Sequence, residues 1–295
     1  MPELAEVELS RRIWSPGLGY LIENVATHPR TRVFRDTPAV EIEQELTGLL
    51  LHSSRCHGKR MLFSFVRPDC QPNTSNCQLH LELHLGMSGR LFLAASDHEA
   101  AKHDHLVLHQ KKLALVYSDY RQFGRAVLHH DDDPWATLPR EILARNFTLP
   151  YLTKLLARRT RTSLKAILLD QSVFPGVGNW MADEICWRMQ VHPAAAIAEI
   201  DLAQLLKETR FVCRGALRHV ADKNEVALAK GREGFAAGGY VPLVPPRSWL
   251  FQHRWKPHGS CPRCKQELSR DTIATRTTAW CSSCQPEQTK SVSRP

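Results

Sequence analysis

The chain has 295 residues, 43% of them hydrophobic, which allows two or more domains with sizeable cores and argues against wholesale disorder. Its 39 Lys and Arg against 30 Asp and Glu leave a net charge of +9, a balance that suits a polyanionic partner. No apolar run approaches membrane-spanning length and no secretory signal precedes the first helix, so the expectation is a cytoplasmic protein with no membrane partner. Of the nine cysteines, four form a tight pattern near the C-terminus, while Cys56, Cys70, Cys77, Cys186 and Cys213 are scattered. An odd remainder without framework spacing argues for a reducing compartment.

Residues 3–14 read as a helix. Leu4, Val7, Arg11 and Trp14 recur at helical spacing, with Glu3, Glu6 and Glu8 early and Arg11 and Arg12 late. Pro2 is a small penultimate residue of the kind that lets Met1 be trimmed, which would leave a free secondary amine. An α-amino group has a pKa of ~7.7–8.0, so part of it is a neutral nucleophile at cellular pH. The positive end of the helix dipole disfavours its protonated form, and the Glu3 carboxylate is the next residue. Amine plus carboxylate is what Schiff-base chemistry at a sugar C1′ requires. The same residues also suit an ordinary capped helix, because proline is common in a first turn.

Residues 20–130 are rich in strand patterns. Residues 79–85, Leu-His-Leu-Glu-Leu-His-Leu, alternate strictly and predict a half-buried antiparallel strand. Residues 61–66, 90–93, 106–109 and 113–117 are further strands, the last two joined by a hairpin connection at 110–112. Sheet on sheet is the closure these strands suggest, a β-sandwich with the N-terminal helix packed on it. Residues 67–76 read as a surface loop and residues 131–139 as an interdomain hinge. Helices are predicted over 142–146, 151–158, 163–170, 179–189 and 202–220. Residues 222–246, with four glycines and three prolines, read as a long loop. Residues 285–295 form a polar end, and no internal repeat is visible.

Cys261-x2-Cys264 and Cys281-x2-Cys284 are separated by 16 residues. Two such knuckles supply four thiolates, a complete tetrahedral set for one structural Zn2+ with no open catalytic position. Paired disulfides are the alternative, disfavoured in a reducing compartment. Arg276 lies between the knuckles, as a nucleic-acid contact or a solvated charge. Residues 163–180 read as helix, glycine turn, helix. Gly176 and Gly178 permit close backbone approach, and Asn179 opens a helix whose N–H groups can hold a phosphate. By itself this is also an ordinary helical hairpin.

PELAEVE at the start, HLGMSG at 84–89, KHDH at 102–105, DYRQFG at 119–124, PGVGNWMADE at 175–184 and the four-cysteine pattern follow one another in order. Together they closely resemble the formamidopyrimidine-DNA glycosylase branch of the Fpg/Nei DNA-repair family, over nearly the whole chain. The resemblance implies a multi-domain α+β protein: a catalytic β-sandwich over 1–130, a helix–two-turn–helix domain over 140–250 and a zinc finger over 251–285. DNA would lie in the cleft between them, and the protein would act as a monomer on double-stranded DNA with oxidised bases or abasic sites.

The resemblance also implies roles. Pro2 would attack C1′ and displace the base; Glu3 would move protons, assisted by Glu6. Lys59 matches a lysine near the lesion. Met87, Arg121 and Phe123 match residues that fill the gap left by the flipped nucleotide, which offsets lost stacking. Without the resemblance Met87 reads as a core methionine. His103, Lys165 and Asn179 would hold phosphates, and Arg276 would clamp those around the lesion.

Several positions depart from the family pattern. Ala5 replaces a proline, and Tyr120 and Gln122 replace the proline and second arginine of the usual DPRRFG. Thr160 stands where a DNA-contacting lysine is common. Residues 222–246 do not match the usual lesion-capping loop, and Trp255-Lys-Pro-His258 replaces a tyrosine-glycine-arginine stretch. The implied activity is removal of oxidised purines with strand cleavage by β,δ-elimination. An endonuclease VIII-like enzyme for oxidised pyrimidines and a catalytically silent DNA-binding paralogue are the competing readings. Leu4 with Arg121 and Phe123 speaks against the first, and intact Pro2, Glu3 and Lys59 against the second.

Overall fold

The computed structural model describes residues 2–28, 30–70, 78–130, 133–222 and 245–287. Met1 and most of the 222–246 loop lie outside these residues, as do parts of the 67–76 loop, the 131–139 hinge and the 285–295 end. The chain divides into two compact units. One is Met1–Leu138 with Ala221–Pro242, the other Pro139–Val220 with Leu243–Pro295.

The first unit is a β-sandwich. One antiparallel sheet has the order β2-β3-β4-β8, from Leu50–His57, Arg60–Val66, Gln78–His84 and Arg125–His129. The other has the order β1-β6-β7-β5, from Asn24–Thr27, Asp104–His109, Ala114–Ser118 and Arg90–Ala94. Alternate residues of both sheets meet in one core that includes Phe63, Phe65, Leu81, Leu83, Leu106, Leu115 and Tyr117. Helix α1, Leu4–Ile13, packs on β2, β3 and β5. Beyond it, Trp14 enters the core with its ring centroid 4.8 Å from that of Phe63. Burying one such ring contributes roughly 1.5–3 kcal/mol, so Trp14 fixes the end of α1 firmly.

The expected half-solvated face of β4 is not solvated. His80 and Glu82 point outward, yet both are buried. The Trp135 indole N–H donates to Glu82 Oε2 at 2.6 Å, so the segment after β8 covers this face. A buried carboxylate needs such donors. Cys70 is disulfide-bonded, whereas Cys56, Cys186 and Cys213 carry free thiols.

The second unit is built round α5, Asn179–Met189, buried along nearly its whole length. It packs against α4, Leu164–Leu169, and α6, Leu202–Ala216, and against β10, Arg276–Trp280, which pairs with β9, Ser269–Ile273. Side-chain caps set several helix starts. Thr148 caps α3, Leu149–Leu156, and Asp201 accepts the Ala203 and Gln204 N–H groups at the start of α6. Residues 142–146, expected as a helix, form turns instead. Arg210 of α6 donates to the carbonyls of Ile142, Ala144 and Phe147, taking up acceptors that a helix would use internally. The α-helix expected to reach residue 220 ends at Ala216 and continues as a π-helical stretch, Leu217–Asp222.

Candidate active site and nucleic-acid interface

Pro2 stands immediately before Glu3, the N-cap of α1. Helix α1 opens with a reciprocal capping box, in which the Glu3 N–H donates to Glu6 Oε2 at 3.2 Å. Glu3 is 3% exposed, a carboxylate held at the positive end of a helix beside Pro2. Lys59 lies in the two-residue turn that joins β2 to β3, after Gly58 at φ +57°. Its charge reaches His84, the last residue of β4. Burial, then Lys59 and Arg60, lower the pKa of His84 and favour its neutral ring, whose Nδ1 accepts the Gly86 N–H at 3.0 Å.

Met87, Arg121 and Phe123 are brought together by a residue that the motif reading did not single out. Asp119 accepts the Ser88 hydroxyl and the Arg121 N–H through Oδ1, and the Gly124 N–H at 2.7 Å through Oδ2. Its own carbonyl accepts His105 Nε2–H at 2.8 Å, and its N–H donates to His103 O at 3.0 Å. Asp119 is fully buried, and the loops it ties together carry exposed apolar groups: Met87 at 42% and Phe123 at 51%. The Arg121 guanidinium lies 4.8 Å from the Phe123 ring centroid, a cation–π pair. Gly86 (φ +59°) is where the loops touch. A Cβ there would come within 2.4 Å of the Phe123 backbone, so only glycine fits. The signal for Asp119 was present in DYRQFG, as an acidic residue five positions before a glycine.

In the second unit Asn179 and Lys165 converge on one backbone atom. The Thr277 carbonyl accepts Asn179 Nδ2–H at 2.9 Å, Lys165 Nζ–H at 3.4 Å and Arg254 Nη2–H at 3.5 Å. Arg276, the neighbouring residue, is exposed at the start of β10. Before it, Ala274 (φ +51°) and Thr275 (φ +60°) form a tight left-handed turn.

Lys165, for which the resemblance implies a phosphate contact, is turned inward. Lys165 is fully buried, and its ammonium donates to Asp183 Oδ1. Burial pulls its pKa down while Asp183 opposes the shift. Asp183 Oδ2 also accepts Arg254 Nε–H at 3.0 Å and the Ala279 N–H at 3.1 Å. Lys165 is thus part of a buried polar network, its ammonium turned to Asp183 and the Thr277 carbonyl rather than to solvent. Next along α5, Glu184 is likewise buried, its pKa pushed up to about 7 by burial against the opposing pull of Arg188 and the Phe251 N–H. Sequence reading missed both carboxylates, although acidic residues within an apolar helix marked them.

The four cysteines of the finger meet. Their sulfurs all lie within 4.8 Å of one another, with Cys261 Sγ···Cys284 Sγ at 3.9 Å and Cys264 Sγ···Cys281 Sγ at 3.4 Å. None is in a disulfide. The Trp187 indole N–H donates to Cys261 Sγ at 3.3 Å, which suits a thiolate. Four thiols in this arrangement can hold one metal ion.

A β-sandwich, a helical module and a four-cysteine finger define the general class; three comparisons narrow it. Residues 1–126 match the family described as "Formamidopyrimidine-DNA glycosylase N-terminal domain". Residues 138–225 match "Formamidopyrimidine-DNA glycosylase H2TH domain", the helix–two-turn–helix. The formamidopyrimidine-DNA glycosylase of Xanthomonas campestris pv. campestris is 33% identical, over 97% of this chain and 100% of that protein. That of Methylobacillus flagellatus is 31% identical over 100% of both. Among solved structures, Lactococcus lactis Fpg in complex with abasic-site DNA aligns at a TM-score of 0.78 and 25% identity, over 97% of this chain and 100% of that one. The same enzyme with an oxidized pyrimidine containing DNA aligns at 0.79 with the same identity and coverage. The chain belongs to the formamidopyrimidine-DNA glycosylase family.

Proposed function

We propose that this protein is a bifunctional base-excision-repair enzyme that removes oxidised purines from double-stranded DNA and nicks the strand at the resulting site. The observation that carries the reading is the α1 N-terminus: Pro2 beside a buried Glu3, at the positive end of a capped helix. With Met1 removed, neutral Pro2 attacks C1′ and the base departs. The product is an iminium between protein and deoxyribose, which a secondary amine can form. Its cation acidifies the C2′ proton, so β-elimination and then δ-elimination cut the strand. Glu3 exchanges the protons, with Glu6 as its partner, and Lys59 holds positive charge near the lesion. Met87, Arg121 and Phe123 fill the vacated position. His103, Asn179 and Arg276 hold phosphates, Asn179 from the first turn of an 11-residue helix.

The finger would hold one structural Zn2+. A Zn–S bond of ~2.3 Å in a tetrahedron sets neighbouring sulfurs roughly 3.8 Å apart, and the spacings of 3.4 and 3.9 Å fit that set. The working domains are 1–130, 140–250 and 251–285, and the acting form is a monomer.

The decisive experiment is borohydride trapping on a duplex with one 8-oxoguanine. The expected adduct maps to Pro2, and Glu3→Gln blocks base release while sparing DNA binding. Trapping at an internal lysine, with activity undiminished when the N-terminus is blocked, defeats the proposal. An oxidised-pyrimidine preference is the second reading, favoured by the neighbour bound to DNA of that kind. A panel of single-lesion duplexes ranks the two.

A further inference from the structure

Tyr120 has no part in the chemistry above, yet it is the most solvent-exposed large hydrophobic side chain among the described residues, at 65%. It is not a stray surface residue. The Gln122 N–H donates to the Asp119 carbonyl at 3.1 Å, closing a β-turn with Tyr120 and Arg121 at its two central positions. The buried Asp119 carboxylate holds the turn from inside. The Gln122 side chain holds it from behind, its Oε1 accepting the Arg32 N–H at 3.1 Å. Gln122 itself sits at φ +54°. The two departures from the family motif therefore act as a pair. Proline would stiffen the first central position through its own ring; here Gln122 braces the turn, and position 120 is free to carry an aromatic.

We propose that Tyr120 is a fourth DNA-contacting side chain of this face, whose ring stacks on a base bordering the vacated position of the duplex. The inference rests on the DNA-glycosylase reading of the same site. Arg121 folds onto Phe123. The Tyr120 ring meets His103 edge-on at 6.5 Å between centroids. Met87, Tyr120 and Phe123 are thus exposed apolar groups on loops anchored by Asp119, and the Arg121 guanidinium lies over one of them. Large aromatics on a braced turn beside cationic groups are the ingredients of a base-stacking platform. Such stacking tolerates any base, because every base has a π-face.

The test uses the full-length protein and a duplex with a stable abasic-site analogue. Separate duplexes carry 2-aminopurine opposite the analogue or one step to either side. Binding by the wild type should change the fluorescence at one or more of these positions. Tyr120→Ala should weaken binding by roughly 5- to 150-fold, the range one base–aromatic stack supplies, and should remove the change at one position. Tyr120→Phe should keep both. Tyr120→Pro suits the first central position of the turn and should behave as the alanine variant does, which separates stacking from turn formation. The slope of log affinity against log salt should not change, since no charge is lost. Binding within two-fold of wild type with unaltered fluorescence in both Tyr120→Ala and Tyr120→Pro overturns the inference. A fall in the salt slope also overturns it, by assigning Tyr120 to the presentation of Arg121. Phenylalanine as weak as alanine overturns it too, in favour of a hydroxyl–phosphate contact. Cleavage of an 8-oxoguanine duplex by the wild type is scored separately. Its absence defeats the enzymatic reading, whereas the binding series decides Tyr120.

Discussion

The Ser88 hydroxyl donates to Asp119 Oδ1 at 2.5 Å, and that bond ties the loop carrying Met87 to the turn carrying Arg121. Asp119 is fully buried and Ser88 half-buried, so the bond holds the two loops in register before any DNA arrives. Preformed geometry lowers the ordering cost of binding.

Asp119→Ala should therefore act on insertion more than on chemistry. It leaves the Ser88 hydroxyl and the buried Gly124 N–H without their acceptor, at about 1–3 kcal/mol for a buried group left unsatisfied, while the Arg121 N–H keeps Ser88 Oγ at 3.3 Å. Excision of an oxidised base from duplex DNA should slow by about ten-fold or more. Cleavage of a pre-formed abasic site should change little, because no base has to leave the stack. Single-turnover rates on the two substrates check this; equal losses would mean that Asp119 serves the sandwich as a whole.

Removing one member of the buried Lys165–Asp183–Arg254 network should destabilise the protein rather than merely weaken a phosphate contact. Asp183→Asn leaves two cations in the interior, and about 3–5 kcal/mol is the usual cost of breaking such a pair. Lys165→Met should destabilise less, since Arg254 still faces Asp183. Denaturant titration measures both. Lys165→Met should leave the salt slope of DNA binding unchanged; a slope reduced by one phosphate would restore the role that burial argues against.

Glu184 makes stability pH-dependent. Its carboxyl is raised to about 7, so the folded protein binds that proton more tightly than the unfolded chain does. The resulting stabilisation is complete below the unfolded pKa near 4.5 and is lost as pH rises through about 7. The midpoint of thermal unfolding should fall between pH 5 and pH 8 more steeply in the wild type than in Glu184→Gln. Parallel curves for the two proteins would remove Glu184 as the source.

Cys261→Ser should cost about one bound zinc per chain and most DNA affinity while the sandwich stays folded. Metal analysis with circular dichroism of the same sample checks both halves. Undiminished DNA affinity in the zinc-free variant would end the structural role.

What could be read from the chain in advance follows from the range of the forces involved. The alternation at 79–85 and the two cysteine knuckles are local patterns, and both reappear, as β4 and as the sulfur cluster. Helix α5 matches its predicted bounds because glycine precedes it and a left-handed Gln190 ends it. Strand β2, Leu50–His57, has no alternation to betray it; its edge position leaves mixed polar residues on both faces. Helix α2, Ala39–Leu46, is short and sits inside a strand-rich stretch, and it too went unpredicted. Lys165 could not be judged locally. Its partner Asp183 is 18 residues away, and only the packing of α4 on α5 shows that the ammonium faces inward. Motifs name residues, but burial decides whether a charge is offered to a ligand or spent inside.

Thr277 is a lesson in mutational robustness. The atom that gathers Asn179, Lys165 and Arg254 is its backbone carbonyl, while the residue itself is exposed. Every amino acid carries that oxygen. Position 277 can therefore drift widely without unhitching the finger from helices α4 and α5. Inherited damage to this joint must fall on the donors, and a survey of tolerated variants should find position 277 permissive beside three intolerant partners.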